Sequence, residues 1–300
     1  YRLDGVGQRS RDPIASIPVE GEPSTGPRIG DPVRSPCIAG DVARTGDPPV
    51  VQPGILTGDG SATLFHREVG EHYHSLSGAH LEARYRFIEP CRVTRTALVQ
   101  GQVRILDIGF GLGTNLGWAI HDIQRKAPGA AIEIVSLERD LLDEEQLKPF
   151  FRALPEARLS VMLHHLVDQR RWVEPGLRLT LMVGEAEQLI DTVEGRFDAV
   201  FLDPFSPKRN PGPWRAGFLR AIRNRMVEGG ILSTYSSARR IRLSLLRSGW
   251  QIGLGPAVGM KSSGTVASAG LVQPPLPPLD EKLQRKLERQ ISSGQEEDQR

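Results

Sequence analysis

Three hundred residues, 39% hydrophobic and 25% charged, give enough chain for one generous soluble globular domain with appendages. No run approaches the roughly 18 consecutive apolar residues of a membrane span, and the opening YRLDGVGQRSRD lacks the apolar core of a signal peptide, so a cytoplasmic address is expected. The formal net charge is only +2, and the two cysteines, Cys37 and Cys91, stand far apart without a CxxC pairing, which argues against a disulfide framework or a thiolate metal site.

Residues 1–52 are rich in Pro and Gly, most densely in PVEGEPSTGPRIGDPVRSP, and follow neither the helical nor the strand period. Such a stretch buries too little apolar surface to offset chain ordering, so a disordered or loosely attached extension is expected there. The chain begins at Tyr1 rather than Met. From Thr57 the texture changes. LTGDGSATLFHRE sets a Gly-Asp-Gly turn between strand-like flanks, a hairpin signal. GAHLEARYRFIEP follows with a helical period through Leu81, Tyr85 and Ile88.

Strands and helices then alternate. VRILDIG, IEIVSLE, LRLTLMVG, FDAVFLD and GGILSTYS read as strands, with GWQIGLGP a weaker one. TNLGWAIHDIQRKA, DLLDEEQLKPFFRAL, AEQLIDTV, WRAGFLRAIRNRMV and ARRIRLSLLRSG read as the intervening helices. Strands joined through crossover helices predict an α/β fold with a doubly wound, Rossmann-like parallel sheet over residues 53–272, preceded by the hairpin and helix. In such sheets ligands sit beyond the carboxyl ends of the strands. Residues 273–300 form a tail in which Leu279, Leu283, Leu287 and Ile291 recur every four residues, an apolar stripe expected to pack back on the domain before a polar end.

The turn in ILDIGFGLGTNLG joins a strand to a helix through Gly109, Gly111 and Gly113, spaced by two. A phosphate-binding loop needs GxxxxGK followed by Ser or Thr, and the dinucleotide pattern GxGxxG fails because position 114 is Thr. Asp107, just before the turn, would meet a pyrophosphate unfavourably but suits a ligand carrying an amine and a sulfonium. Asp-x-Gly-x-Gly-x-Gly therefore points to S-adenosyl-L-methionine, with glycines that let the backbone approach closely. Glu138 ends the next strand, where a carboxylate accepts ribose hydroxyls. Glu185 follows the third and suits the adenine amino group, and Asp203 follows the fourth. Any one of these acids alone is more often a helix N-cap; four at consecutive strand ends form a pattern.

Between Lys208 and Arg247 ten basic residues (Lys208, Arg209, Arg215, Arg220, Arg223, Arg225, Arg239, Arg240, Arg242 and Arg247) face one acid, Glu228. Such a field attracts polyanions such as RNA, although arginine outnumbers lysine along the whole chain and a compositional bias would give the same run. His72, His74 and His80 have no carboxylate spacing that completes a zinc site, so no metal is expected. Trp214 and Trp250 suit base stacking but lie in amphipathic segments, where tryptophan is more often core.

DGSATLFHREVGEHYHSLSGAHLEARYRFIEP, LDIGFGLGTN, FDAVFLDPFSPKRNPGPW, GGILSTYSSA and GMKSSGTVAS together resemble the methyltransferase domain of the MnmC family, over residues 57–270. Members of that family are bifunctional bacterial enzymes that complete 5-methylaminomethyl-2-thiouridine at the tRNA wobble position. The resemblance implies a class I S-adenosyl-L-methionine-dependent tRNA methyltransferase acting on the amine of 5-aminomethyl(-2-thio)uridine. It also implies that Asp107, Gly109, Gly111, Gly113 and Asn115 form the cofactor loop and that Glu138 is the ribose acid. Tyr73, Ser75, Gly78 and Glu82 match the element over the cofactor pocket, and Asp203, Phe205 and Pro207 match the segment beside the transferable methyl. Glu82, Phe205, Lys208, Arg239 and Arg240 are candidate substrate contacts, and Asp203 is the candidate catalytic group. Two departures stand out: Pro204 replaces the Gly of the family's Asp-Gly-Phe, and no flavin-binding oxidase half follows. The second implies a separate enzyme that supplies the amine. A small-molecule or polyamine-type transferase on the same fold, and a non-catalytic RNA-binding module, are the rival classes.

Overall fold

The structure is a computed structural model that describes residues 55–75, 78–258 and 263–293. The Pro/Gly-rich stretch expected to be disordered lies outside the described residues, as do Cys37 and the polar end of the tail.

In chain order the elements are β1 (Ile55–Leu56), β2 (Ala62–Thr63), β3 (Phe65–His66), β4 (Glu71–His72), α1 (Ala79–Glu82), α2 (Val93–Gln100), β5 (Gln102–Ile108), α3 (Thr114–Lys126), β6 (Ala131–Glu138), α4 (Glu144–Arg152), α5 (Ala157–Gln169), β7 (Arg171–Glu174), β8 (Leu177–Val183), α6 (Ala186–Leu189), β9 (Phe197–Leu202), α7 (Ala216–Asn224), β10 (Met226–Thr234), α8 (Arg239–Arg247), β11 (Gln251–Leu254), β12 (Thr265–Ser268) and α9 (Glu281–Ser292). Eight strands form one sheet in the order β11-β12-β10-β9-β5-β6-β8-β7. The central five run parallel, and β7 and β12 pair antiparallel with their neighbours. The doubly wound α/β expectation therefore holds for the middle of the sheet, and both flanks add strands absent from the sequence reading.

Strand β5 shows why the sheet is buried on both faces. Ile105 points into one apolar cluster with Ile134, Leu163 and Phe201, while Leu106 and Ile108 join the other with Leu137, Val200 and Leu219. Continuous apolar runs of this kind are what a parallel sheet covered by helices requires. Helix α4 starts four residues after the expected Asp140, because Asp143 accepts the Gln146 N–H and Gln146 reaches back to the Asp143 N–H, a capping box. Trp214 and Trp250 are both core residues, with their ring N–H groups on the carbonyls of Phe205 and Leu219.

The element before the sheet corrects one expectation. The Gly-Asp-Gly turn does join two antiparallel strands, β1 and β2. Of the expected helical stripe of Leu81, Tyr85 and Ile88, Ile88 is core and Leu81 half-buried, but Tyr85 is 40% exposed. After α1 the chain widens into a π-type turn over Ala83–Ile88, with Glu89 N–H bonded to the Arg84 carbonyl at 3.0 Å. The extra residue per turn shifts the phase, so Glu82, Arg86 and Phe87 face inward instead. The tail behaves as its stripe predicts over most of its length: Leu279 and Leu287 pack with Leu243 of α8, and Ile291 is left exposed.

Candidate active site

Strands β9, β5, β6 and β8 lie side by side and run the same way, so their carboxyl ends share one edge. Over that edge opens a cleft with about 980 Å³ of empty space, part of it continuous with solvent, within the size range of small-molecule sites. Of the four strand-end acids, Glu138, Glu185 and Asp203 line it. So do Tyr73, Glu82, Gly109, Gly111 and Phe205.

Asp107 lies beneath the cleft, 1% exposed. It stands in register with Ser136 of β6, whose hydroxyl donates to Asp107 Oδ2 at 2.5 Å. Oδ1 has no hydrogen-bond partner. Burial, helped by the nearby Glu138 charge, pushes the Asp107 carboxyl up to about 7, against the lowering effect of the Ser136 bond. Glu138 accepts from the Gly111 and Asp140 N–H groups, each at 2.9 Å, which ties the strand end to the glycine turn. Glu185 is exposed at the start of α6 and makes no capping bond there.

The three glycines do three different jobs. A Cβ on Gly109 (φ +99°) would lie 2.8 Å from the Asp203 carbonyl oxygen, so this glycine lets β5 and β9 end against each other. At Gly113 (φ +72°) it would meet Phe151 at 2.9 Å in the core, away from the cleft. At Gly111 (φ +53°) it meets a side chain of the cleft wall, the Tyr73 ring, at 3.1 Å. Gly113 is therefore a packing glycine in a loop that the sequence pattern treats as one unit.

On the far wall, Asn115 Nδ2 donates to Asp203 Oδ2 at 2.8 Å. Asn115 is 4% exposed, and its own Oδ1 has no partner. The Asp203 loop is clasped to the β3–β4 hairpin by Glu71, which accepts from the Ser206 N–H at 3.0 Å and from the Ser206 hydroxyl. Tyr73 and Phe205 meet across the cleft with ring centroids 5.1 Å apart. The Tyr235 hydroxyl donates to the Pro204 carbonyl at 3.0 Å, and burial and the charges of Asp203, Glu71 and Glu82 push its pKa up. Glu71, Asn210 and Tyr235 line the cleft and were not singled out from sequence, because nothing local marks residues that only tertiary folding brings to a strand edge.

The remaining candidates fall elsewhere. Ser75 is buried and serves through its backbone N–H, which donates to Glu82 Oε2 at 2.8 Å. Lys208 and Arg240 are exposed, and Arg239 is half-buried. Three members of the basic run spend their guanidinium groups on clasps within the fold, and Arg242 does so from the interior. Arg242, 3% exposed, donates to the Thr265 hydroxyl and the Gly264 carbonyl, both at 3.0 Å. Arg223 and Arg225 donate to backbone carbonyls of Gly249, Ala269, Val193 and Asp191. Among the described residues no cluster of three His, Cys, Asp or Glu is placed to hold a metal, and no helix is long and apolar enough to cross a membrane.

The residues at the cleft fit a cationic nucleoside: carboxylates at strand ends for a diol and an amine, orphaned buried acceptors on Asp107 and Asn115 behind its wall, and a glycine turn without P-loop geometry for phosphate. A family model described as S-adenosyl-L-methionine-dependent methyltransferase matches residues 151–270. The crystal structure of MNMC2 from Aquifex aeolicus aligns with a TM-score of 0.70 and 38% identity, covering 78% of this chain and 74% of that one. The tRNA 5-methylaminomethyl-2-thiouridine biosynthesis bifunctional protein MnmC of Delftia acidovorans is 29% identical over 217 residues, 68% of this chain and 33% of that protein. An uncharacterized protein of Methanocaldococcus jannaschii is 30% identical over 224 residues, 71% of this chain and 58% of its own length. The chain thus spans about a third of the MnmC relative and somewhat over half of the archaeal one. With this sheet, this glycine turn and these likenesses, the chain belongs to the MnmC-type family of S-adenosyl-L-methionine-dependent methyltransferases.

Proposed function

We propose that the protein methylates the amine of 5-aminomethyl(-2-thio)uridine at the tRNA wobble position, giving 5-methylaminomethyl(-2-thio)uridine. The observation that carries this reading is the Asp203 carboxylate, pinned by Asn115 at 2.8 Å in the same cleft as Glu138 and Gly111. An acid held at one place in a nucleoside-sized cleft suits an amine acceptor. The MnmC relatives' names supply the tRNA base that carries such an amine.

When bound, S-adenosyl-L-methionine supplies a sulfonium-activated methyl group. Glu138 would accept its ribose hydroxyls, Glu185 its adenine amino group, and Asp107 would balance its positive charge. The protein's own work is orientation. Asp203 accepts an N–H of the incoming amine, aims the lone pair and takes up a proton. Asn115 stops the carboxylate from rotating, and the Tyr73 and Phe205 rings keep water from that side of the cleft. Lys208, three residues along the chain from Phe205, and Arg240, in the first turn of α8, are exposed cations that would meet RNA phosphates.

Mass spectrometry of tRNA nucleosides from a strain lacking the gene tests this reading. It expects 5-aminomethyl(-2-thio)uridine to accumulate at the expense of its methylated form. An unchanged nucleoside profile favours a small-molecule amine as the acceptor instead.

A further inference from the structure

Strand β9 ends at Leu202, and the residues just beyond it carry Asp203 and Phe205 to the cleft wall. Backbone groups that leave a sheet in a buried or half-buried place need other partners. From Asp203 to Ser206 every residue has one, and each partner belongs to a different element. The Asp203 N–H donates to the Ile108 carbonyl at the end of β5, at 2.9 Å. The Pro204 carbonyl accepts from the hydroxyl of Tyr235, just past β10, at 3.0 Å. The Phe205 carbonyl accepts from the Trp214 indole N–H at 3.0 Å, and the Ser206 N–H donates to Glu71 of β4 at 3.0 Å.

Only the first of these bonds comes from backbone; the other three are made by side chains that are themselves held. Trp214 is 3% exposed, and its ring meets that of Tyr235 edge to face with centroids 5.7 Å apart. Glu71 also takes the Ser206 hydroxyl. The turn of its hairpin approaches the loop a second time, since a Cβ on Gly70 would lie 3.3 Å from Arg209 Nη2. Pro204 narrows the choice further, because its ring fixes φ and it has no N–H with which to form a different turn. Asp203 is thus confined along its backbone by β5, with its carbonyl lying where Gly109 has no Cβ, and at its carboxylate by Asn115. The Tyr235 hydroxyl holds the next peptide group along the chain, the one that joins Pro204 to Phe205.

Resting on the methyl-transfer reading, we propose that Tyr235 and Glu71 are positioning residues for the reaction. With Trp214 they fix the backbone of residues 204–206, so that the Asp203 carboxylate meets the acceptor amine at one place. Neither acts on the amine itself. Without the Tyr235 hydroxyl the Pro204–Phe205 peptide is free to rotate, and Asp203 on one side and Phe205 on the other turn with it. A displacement of about 1 Å at such a group costs a transfer on the order of 10²-fold.

Single-turnover transfer to tRNA bearing 5-aminomethyluridine tests this in the wild-type chain, Tyr235→Phe, Asp203→Asn and the double variant of the two. Tyr235→Phe removes one oxygen and keeps the ring against Trp214. Its rate at saturating S-adenosyl-L-methionine and tRNA is expected to fall about 10- to 100-fold, with the tRNA KM and the cofactor Kd close to wild type. The double variant is expected to be no slower than Asp203→Asn alone, because residues that act as a unit give non-additive losses, whereas a merely structural role gives losses that multiply. Glu71→Ala is expected to slow transfer in the same way, and Glu71→Gln, which keeps an acceptor for the Ser206 N–H, to restore most of it. A Tyr235→Phe chain that transfers at the wild-type rate overturns the inference, and so do losses that multiply in the double variant. Should Tyr235→Phe fail to fold, a Glu71→Ala chain as fast as Glu71→Gln overturns it equally. In each of these cases wild-type transfer keeps the reading beneath it; a wild-type chain that transfers no methyl to this tRNA overturns both.

Discussion

Gly109 and Gly111 sit two residues apart in one turn, yet they are expected to fail in different ways. At Gly109 the φ of +99° lies beyond the small left-handed region open to L-residues, and an added Cβ would come 2.8 Å from the Asp203 carbonyl oxygen. That neighbour is backbone and cannot swing aside. Chirality costs roughly 1–2 kcal/mol and overpacking typically about 1–3 kcal/mol, so Gly109→Ala is expected to lose about 2–5 kcal/mol. For a domain of this size each kcal/mol moves Tm by roughly 2–4 °C. At Gly111 the φ of +53° is an allowed left-handed value, and the nearest atom at 3.1 Å belongs to the movable Tyr73 ring. Gly111→Ala is expected to lose only about 1–2 kcal/mol of stability but to press that ring into the cleft and weaken S-adenosyl-L-methionine binding at least tenfold. Thermal melts without ligand and calorimetric titration of both variants separate the two effects. A Gly109→Ala chain that melts with wild type, or a Gly111→Ala chain that binds the cofactor as tightly as wild type, refutes the division of labour.

Asp203→Asn is expected to keep the fold and cofactor binding while single-turnover transfer falls by roughly 10²- to 10⁴-fold, the usual loss of a positioned acid–base group; retained turnover removes Asp203 from the chemistry. Burial pushes the Asp107 carboxyl up to about 7 in the folded chain, against about 4 for an exposed carboxylate. The native state therefore binds more protons between those values, and this group's contribution to stability declines as pH rises from about 4 to about 7. Asp107→Asn is expected to match wild type in Tm at pH 5 and exceed it at pH 8, and equal Tm values at pH 8 would argue against the raised titration. Arg240→Gln is expected to lower the tRNA salt slope by about 0.7–0.9 with Tm unchanged, whereas Arg242→Gln is expected to lower Tm because it orphans the Gly264 carbonyl; filter binding and melts read both.

The middle of the sheet was legible because its strands are apolar on both faces and its crossovers carry clear helical periods. The strand-end acids were legible for the same reason: once β5, β6, β8 and β9 are placed, parallel pairing puts their ends on one edge. The flanks were not. Strand β12 is four residues, Thr265–Ser268, with no alternation, and β7 is an edge hairpin of mixed exposure. Both depend on a partner strand for their backbone bonds. Charge was the other blind spot. A run of arginines reads as surface, yet Arg242 is held inside by one hydroxyl and one carbonyl. Likewise the apparent stripe through Leu81, Tyr85 and Ile88 assumed a regular helix, and along the wide turn Ile88 stays buried while Tyr85 turns outward and Glu82 and Arg86 turn in.

Whether this cleft moves a methyl group onto a tRNA amine is read from purified chain, labelled S-adenosyl-L-methionine and tRNA bearing 5-aminomethyluridine, combined in a single turnover and digested to nucleosides for mass analysis. Label is expected in 5-methylaminomethyluridine, in an amount that falls with Glu138→Ala and with Asp203→Asn. Label on any other nucleoside, or none on tRNA while a small amine becomes methylated, would contradict it.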